Sequence, residues 1–126
     1  MARVLVVDDE PAVRSLIRTT LERAGHTVLE AGDGASALES ASRHRPDVVL
    51  LDLVLPGLSG LEACRRIKAS SDTARAAVIL LSGLPQAGDD APEGADGCLV
   101  KPFTLEGVVR QVVDALLRRR ITLDHP

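Results

Sequence analysis

A run of apolar, β-branched residues that ends abruptly in three acids, RVLVVDDE at residues 3–10, constrains this chain more than any other feature. Apolar residues without polar alternation mark a strand buried on both faces, the habit of parallel sheets. A carboxylate buried without a partner carries a large desolvation cost. The fold must therefore deliver Asp8, Asp9 and Glu10 to an edge that water or a cation can reach. Four more strand patterns follow: TVLEA, DVVLLDL, AAVILLS and GCLVK. Helical patterns lie between them. Pro11 suits a first helical turn, Val13, Leu16, Ile17, Thr20, Leu21 and Ala24 recur at helical spacing, and Gly25 reads as the stop. A short helix in GDGASALESASRHR closes before Pro46, and Ser59 caps SGLEACRRIKAS. Thr104 caps a last helix whose expected apolar face is Leu105, Val108, Val109, Val112, Val113, Leu116 and Leu117. Five alternations of strand and helix predict an α/β fold, a doubly wound parallel sheet with helices on both faces.

At 126 residues the chain fits one domain, expected over residues 1–120 with a tail at 121–126. A net charge of −3 gives no bulk attraction to nucleic acid or an anionic membrane. Phe103 is the only aromatic residue, so stacking platforms for single-stranded nucleic acid are absent. The expectation is no direct nucleic-acid binding. No apolar run approaches the ~20 residues that span a bilayer. The N-terminus enters a strand pattern directly, and Cys64 and Cys98 form no disulfide framework or metal motif. A soluble cytoplasmic protein with no membrane partner is expected. Arg118, Arg119 and Arg120 read as cations favourable at a helix C-terminus.

In open parallel sheets, ligands bind beyond the carboxyl ends of the strands. Those ends deliver Asp8, Asp9 and Glu10, then Asp52, then Ser82, then Lys101 and Pro102. Singly these are ordinary turn formers, caps and solvated charges. Together they are one compatible set from four strand ends. Thirteen of the fifteen basic residues are Arg, so a lysine at 101 departs from the chain's habit. A compact ammonium suits a carboxylate or a phosphoryl oxygen. Clustered carboxylates suit Mg²⁺ with waters and phosphate oxygens. Asp52 then becomes a candidate nucleophile toward phosphorus, with Lys101 and backbone N–H groups stabilising the transferring group.

Through VLVVDDE, DVVLLDLVLPGLSG, VILLSG and GADGCLVKPF, in that order, the chain resembles the receiver domains of two-component response regulators, from residue 3 to about 119. The resemblance implies the flavodoxin-like receiver fold, with strand order 2-1-3-4-5. It implies that Asp52 is the phosphoacceptor, Ser82 the switch hydroxyl and Lys101 the phosphoryl-binding lysine. Mg²⁺ would be held by Asp8, Asp9, Asp52 and the backbone carbonyl of Val54. The backbone of Val54 and Gly83 would bind the phosphoryl group, and the Lys101–Pro102 peptide bond would be cis. Implied partners are a histidine kinase or phosphotransfer protein, or a small phosphodonor, with the downstream effector left open. Such a domain is a signalling module that catalyses only its own phosphorylation and dephosphorylation.

The chain also departs from the family pattern. Cys98 stands where an aromatic switch residue is usual. Residues 85–95, PQAGDDAPEGA, offer no apolar stripe, so a fourth helix there is expected to be short or missing. A monomer or weak dimer is expected to follow. Val54 and Leu84 are apolar at positions that influence hydrolysis in relatives, which implies a long-lived phosphoryl group. The alternative is a pseudo-receiver acting as a phosphorylation-independent interaction module. An aspartyl phosphohydrolase would need an Asp-x-Asp signature where this chain has DDEPA, and a flavodoxin-like electron carrier would need aromatic rings about its flavin.

Overall fold

The computed structural model describes residues 2–83 and 94–124, with side chains as far as residue 118. Five strands, β1 (Arg3–Val7), β2 (Thr27–Ala31), β3 (Val48–Asp52), β4 (Ala77–Ser82) and β5 (Gly97–Val100), form one sheet in the order β2-β1-β3-β4-β5. All neighbouring strands pair in parallel. Among the described residues there are four helices: α1 (Pro11–Arg23), α2 (Gly34–His44), α3 (Gly60–Ala69) and α4 (Leu105–Asp124). The expected short or missing helix at 85–95 falls, for residues 85–93, outside the described residues. No described helix is long and apolar enough to cross a membrane.

Local chemistry sets the helix ends. Pro11 opens α1, where its missing N–H costs nothing. Past its end, Gly25 takes a φ of 97°, which suits a residue without a Cβ. The Asp33 carboxylate accepts the Ser36 N–H at 2.7 Å to start α2, and Ser59 Oγ accepts the Glu62 N–H at 3.2 Å to start α3. Thr104 Oγ1 accepts the Gly107 N–H at 2.9 Å at the head of α4. That helix runs to Asp124, beyond the tail boundary expected at residue 120, because nothing in ITLD breaks it.

Strand side chains alternate between two cores. Val4, Val6, Leu50, Ile79 and Leu81 face α1 and α4, meeting Ile17, Leu21, Val108, Val112 and Ala115. Leu5, Val7, Val49, Leu51 and Leu80 face α2 and α3, meeting Ala37, Ala41, Ala63, Cys64 and Ile67. The α4 face is narrower than its sequence suggested. Val113 and Leu117 are 40% and 53% exposed, and Ala115 takes the inner row instead. A stripe of seven apolar residues is wider than the sheet and α1 together cover.

The second core brings α3 hard against the strand that carries Asp52. A Cβ on Gly60 would lie 2.2 Å from the Asp52 carbonyl oxygen and 2.6 Å from Leu53 Cα. Both are backbone atoms and cannot step aside. An alanine usually favours a helix by about 1 kcal/mol over glycine. Here Gly60→Ala should instead destabilise by about 2–3 kcal/mol, the cost of overpacking. Chemical denaturation checks this, with a lowered midpoint expected.

Candidate functional site

The carboxyl edge of the sheet is assembled by register. Val7 pairs with Leu51, so Asp8, just past β1, stands beside Asp52, the last residue of β3, which pairs with Leu81. Ser82 pairs with Val100, and the Lys101 N–H donates to the Ser82 carbonyl at 2.7 Å. Four strand ends thus meet, as their sequence order implied. Asp8, Asp52 and Ser82 are buried at 1%, 4% and 4% exposure, whereas Asp9 and Glu10 are exposed.

Lys101 joins the two buried acids. Its Nζ lies 2.7 Å from Asp52 Oδ2 and 3.8 Å from Asp8 Oδ2. Asp52 Oδ1 accepts the Val54 N–H at 3.0 Å, and Asp8 Oδ1 accepts the Glu10 N–H at 2.9 Å. Asp8 Oδ2, by contrast, is one of two buried side-chain atoms among the described residues with no hydrogen-bond partner. Burial pushes the Asp8 carboxyl above its ordinary range; the Glu10 N–H and Lys101 oppose this, and the nearby Asp52 charge reinforces it. Burial works against the Lys101 ammonium, but the Asp52 hydrogen bond and the fields of Asp52, Asp8 and Glu10 outweigh it and raise its pKa.

Ligand atoms of Asp8, Asp9 and Glu10 lie within 4.8 Å of one another, a group that could hold a metal ion. The metal set expected from the sequence was Asp8, Asp9 and Asp52 with the Val54 carbonyl. Glu10 was seen at the strand end but given no role; its adjacency to two acids was the available signal. Asp52 is engaged by Lys101 and by the Val54 N–H. Val54 itself is 78% exposed at the rim. The Lys101–Pro102 peptide bond is cis. Cys98 is half-buried beside the second core, and burial raises its thiol pKa, the wrong direction for a reactive cysteine. Arg14, not anticipated from sequence, donates from Nη1 to the Asp8 carbonyl at 2.7 Å.

The family model of the response regulator receiver domain matches residues 4–113. The chain belongs to that family. It is 39% identical over 122 residues to the DNA-binding dual master transcriptional regulator RpaA of Synechocystis, covering 94% of this chain and 50% of RpaA. It is 42% identical over 120 residues to the response regulator MprA of Mycobacterium leprae, covering 93% of this chain and 51% of MprA. The chain spans about half the length of these curated relatives. Among solved structures, chemotaxis response regulator CheY4 of Vibrio cholerae matches at a TM-score of 0.80 and 32% identity, covering 91% of this chain and 98% of CheY4. The receiver domain of the sensor histidine kinase PA1611 of Pseudomonas aeruginosa matches at 0.77 and 33%, covering 86% and 92%; its structure holds a magnesium ion in the active-site cleft.

The relatives correct one expectation about this receiver. Its net charge and lack of aromatic rings were read as arguing against direct nucleic-acid binding, yet RpaA is a DNA-binding regulator of which this chain matches half. Charge and ring count describe one domain's own surface. They carry no information about what the other half of RpaA contacts.

Ionised Asp8 opposes folding, because its pKa in the fold lies above the ordinary 3.8. The penalty is absent below pH 3.8, grows as pH rises through the raised value, and is complete above it. Asp8→Asn should therefore raise the melting temperature of the metal-free protein most at neutral pH. The gain should shrink as pH falls toward 3.8. Paired thermal melts in a chelator across pH check both statements.

Proposed function

We propose that this receiver accepts a phosphoryl group on Asp52, in a Mg²⁺-dependent transfer from a histidine kinase or a small phosphodonor, and that the modified form switches partner binding. The observation that carries the reading is the Lys101 ammonium on Asp52 Oδ2, beside a buried Asp8 oxygen with no hydrogen-bond partner. A lysine already paired with the acceptor is placed to follow the charge onto a phosphoryl oxygen.

The acids present fit a magnesium ion. The orphaned Asp8 oxygen and the Asp8–Asp9–Glu10 group are all hard oxygen donors. Asp8 and Asp9 would hold the ion, with Asp52 and the Val54 carbonyl. Bound there, it would offset negative charge on the transferring group and on Asp52. In the transfer, a carboxylate oxygen of Asp52 forms the new P–O bond. The donor's P–N or acyl P–O bond breaks, and its electron pair leaves with the donor. Lys101, the N–H groups of Val54 and Gly83 and the Ser82 hydroxyl then hold phosphoryl oxygens. Dephosphorylation would use the same groups with water as acceptor. The transcriptional relatives support a cytoplasmic regulator whose output is gene expression.

Incubation with acetyl phosphate and Mg²⁺ should add one phosphoryl group by intact-protein mass spectrometry, and Asp52→Ala should abolish it. Full labelling of Asp52→Ala would sink the assignment, and an unlabelled parent would return the chain to the pseudo-receiver reading. The group should be long-lived, because the exposed Val54 side chain cannot orient a water. Leu84, the second residue expected to act this way, lies outside the described residues. Val54→Asn should shorten the lifetime severalfold, read by mass spectrometry after the donor is removed. An unchanged lifetime would remove this part.

A further inference from the structure

We infer that Arg14 is a positioning residue for the metal-binding acids: its guanidinium fixes the Asp8 peptide so that Asp8 and Asp9 converge on a cation. The inference rests on the phosphoacceptor reading of the site. Arg14 lies in α1, one turn past the acids, with its side chain 20% exposed. Nη1 donates to the Asp8 carbonyl at 2.7 Å, and Nε donates to Glu30 Oε1 at 3.3 Å. Glu30, on β2, is itself anchored from its other oxygen by Arg18 Nη1 at 2.8 Å. Gly32 lies close against it: a Cβ there would sit 3.3 Å from Arg14 Nη1.

The contact completes a set. The Asp8 N–H donates to the Ala31 carbonyl at 3.2 Å. Asp8 Oδ1 takes the Glu10 N–H, and the Asp8 carbonyl takes Arg14. Three of the residue's four polar atoms are thereby held, and the fourth, Oδ2, is left buried without a hydrogen bond. The peptide whose orientation Arg14 fixes is the one that leads into Asp9. Without the fork, Asp8 and Asp9 would lose their common direction.

Two effects of Arg14 on a cation have opposite signs. Its positive charge repels the ion, and its hydrogen bond preorganises the ligands. Arg14 points its Nη1 at the Asp8 carbonyl rather than at a carboxylate oxygen of the cluster, and Glu30, shared with Arg18, offsets part of its charge, so preorganisation should win. Partners that orient metal ligands are typically worth ten- to a hundredfold (~10–100) in affinity.

The test is a Mg²⁺ titration of the unphosphorylated chain, followed by amide shifts of residues 8–10 in NMR, with thermal melts in a chelator alongside. Arg14→Met should raise the Mg²⁺ Kd about tenfold. Arg14→Lys keeps the charge but reaches only one acceptor, and should raise it severalfold. A Kd for Arg14→Met that is unchanged or tighter would overturn the inference. So would a lowered melting temperature with an unchanged Kd, the mark of a merely structural contact. If Arg14→Met does not fold, Arg14→Lys decides, and an unchanged Kd there overturns the proposal. Asp9→Asn separates the two levels: if it too leaves Mg²⁺ binding intact, the metal reading fails rather than the role of Arg14.

Discussion

Four carboxylates and one ammonium meet at the carboxyl edge of this sheet, and the rest of the site answers to that imbalance. Two of the acids, Asp8 and Asp52, are buried, and Lys101 serves both. On a surface such contacts would be worth about 0–1 kcal/mol. For Asp8 desolvation is the larger quantity, and the hydrogen bond from the Glu10 N–H recovers only part of it. One carboxylate oxygen, Asp8 Oδ2, remains without a hydrogen bond. The fold tolerates a local electrostatic debt because two cores on either side of the sheet hold the strand ends in place. A dication would reduce the four-to-one excess, which gives the rim a physical reason to bind one.

The scaffold is rigid at the points where the chemistry needs rigidity. Parallel pairing of β1, β3 and β4 fixes the relative height of Asp8 and Asp52. Gly60 lets α3 start against the backbone of Asp52 and Leu53, while its own N–H donates to the Leu53 carbonyl at 3.1 Å. Arg14 ties the turn after β1 to Glu30 on β2. Three separate ties therefore hold the edge.

Much of this was legible in the sequence because it depends on short-range pattern. Unbroken apolar runs such as DVVLLD mark strands buried on both faces, and their last residues define the rim. Pro11, Ser59 and Thr104 mark helix starts through local hydrogen bonding alone. What was not legible depends on distance. Arg14 meets Asp8 across a turn and Glu30 across two elements, and the other arginines whose side chains are described are all exposed, so sequence gives no sign which one is turned inward. The outer side of α4 was misread because periodicity gives a stripe, while coverage depends on what packs there. The grouping of Glu10 with Asp8 and Asp9 depends on how the turn folds, which composition does not report.

Lys101 shows how a change at Asp52 can leave the site. Its ammonium is stabilised by Asp52, Asp8 and Glu10. In the phosphoacceptor reading, it would answer a new charge on Asp52 by moving toward it. Its own N–H is bonded to the Ser82 carbonyl, and Ser82 pairs with Val100 just before it. The lysine and the hydroxyl proposed to grip a phosphoryl group are thus one mechanical unit at the joined ends of β4 and β5. That unit stands beside Cys98, a small side chain that pairs with Leu80 across the strands and packs at the margin of the α2–α3 core. A cysteine there cannot swing as a ring would. In the phosphoacceptor reading, a shift of Lys101 would pass through the paired backbones of β4 and β5 rather than through a side-chain rotamer at position 98.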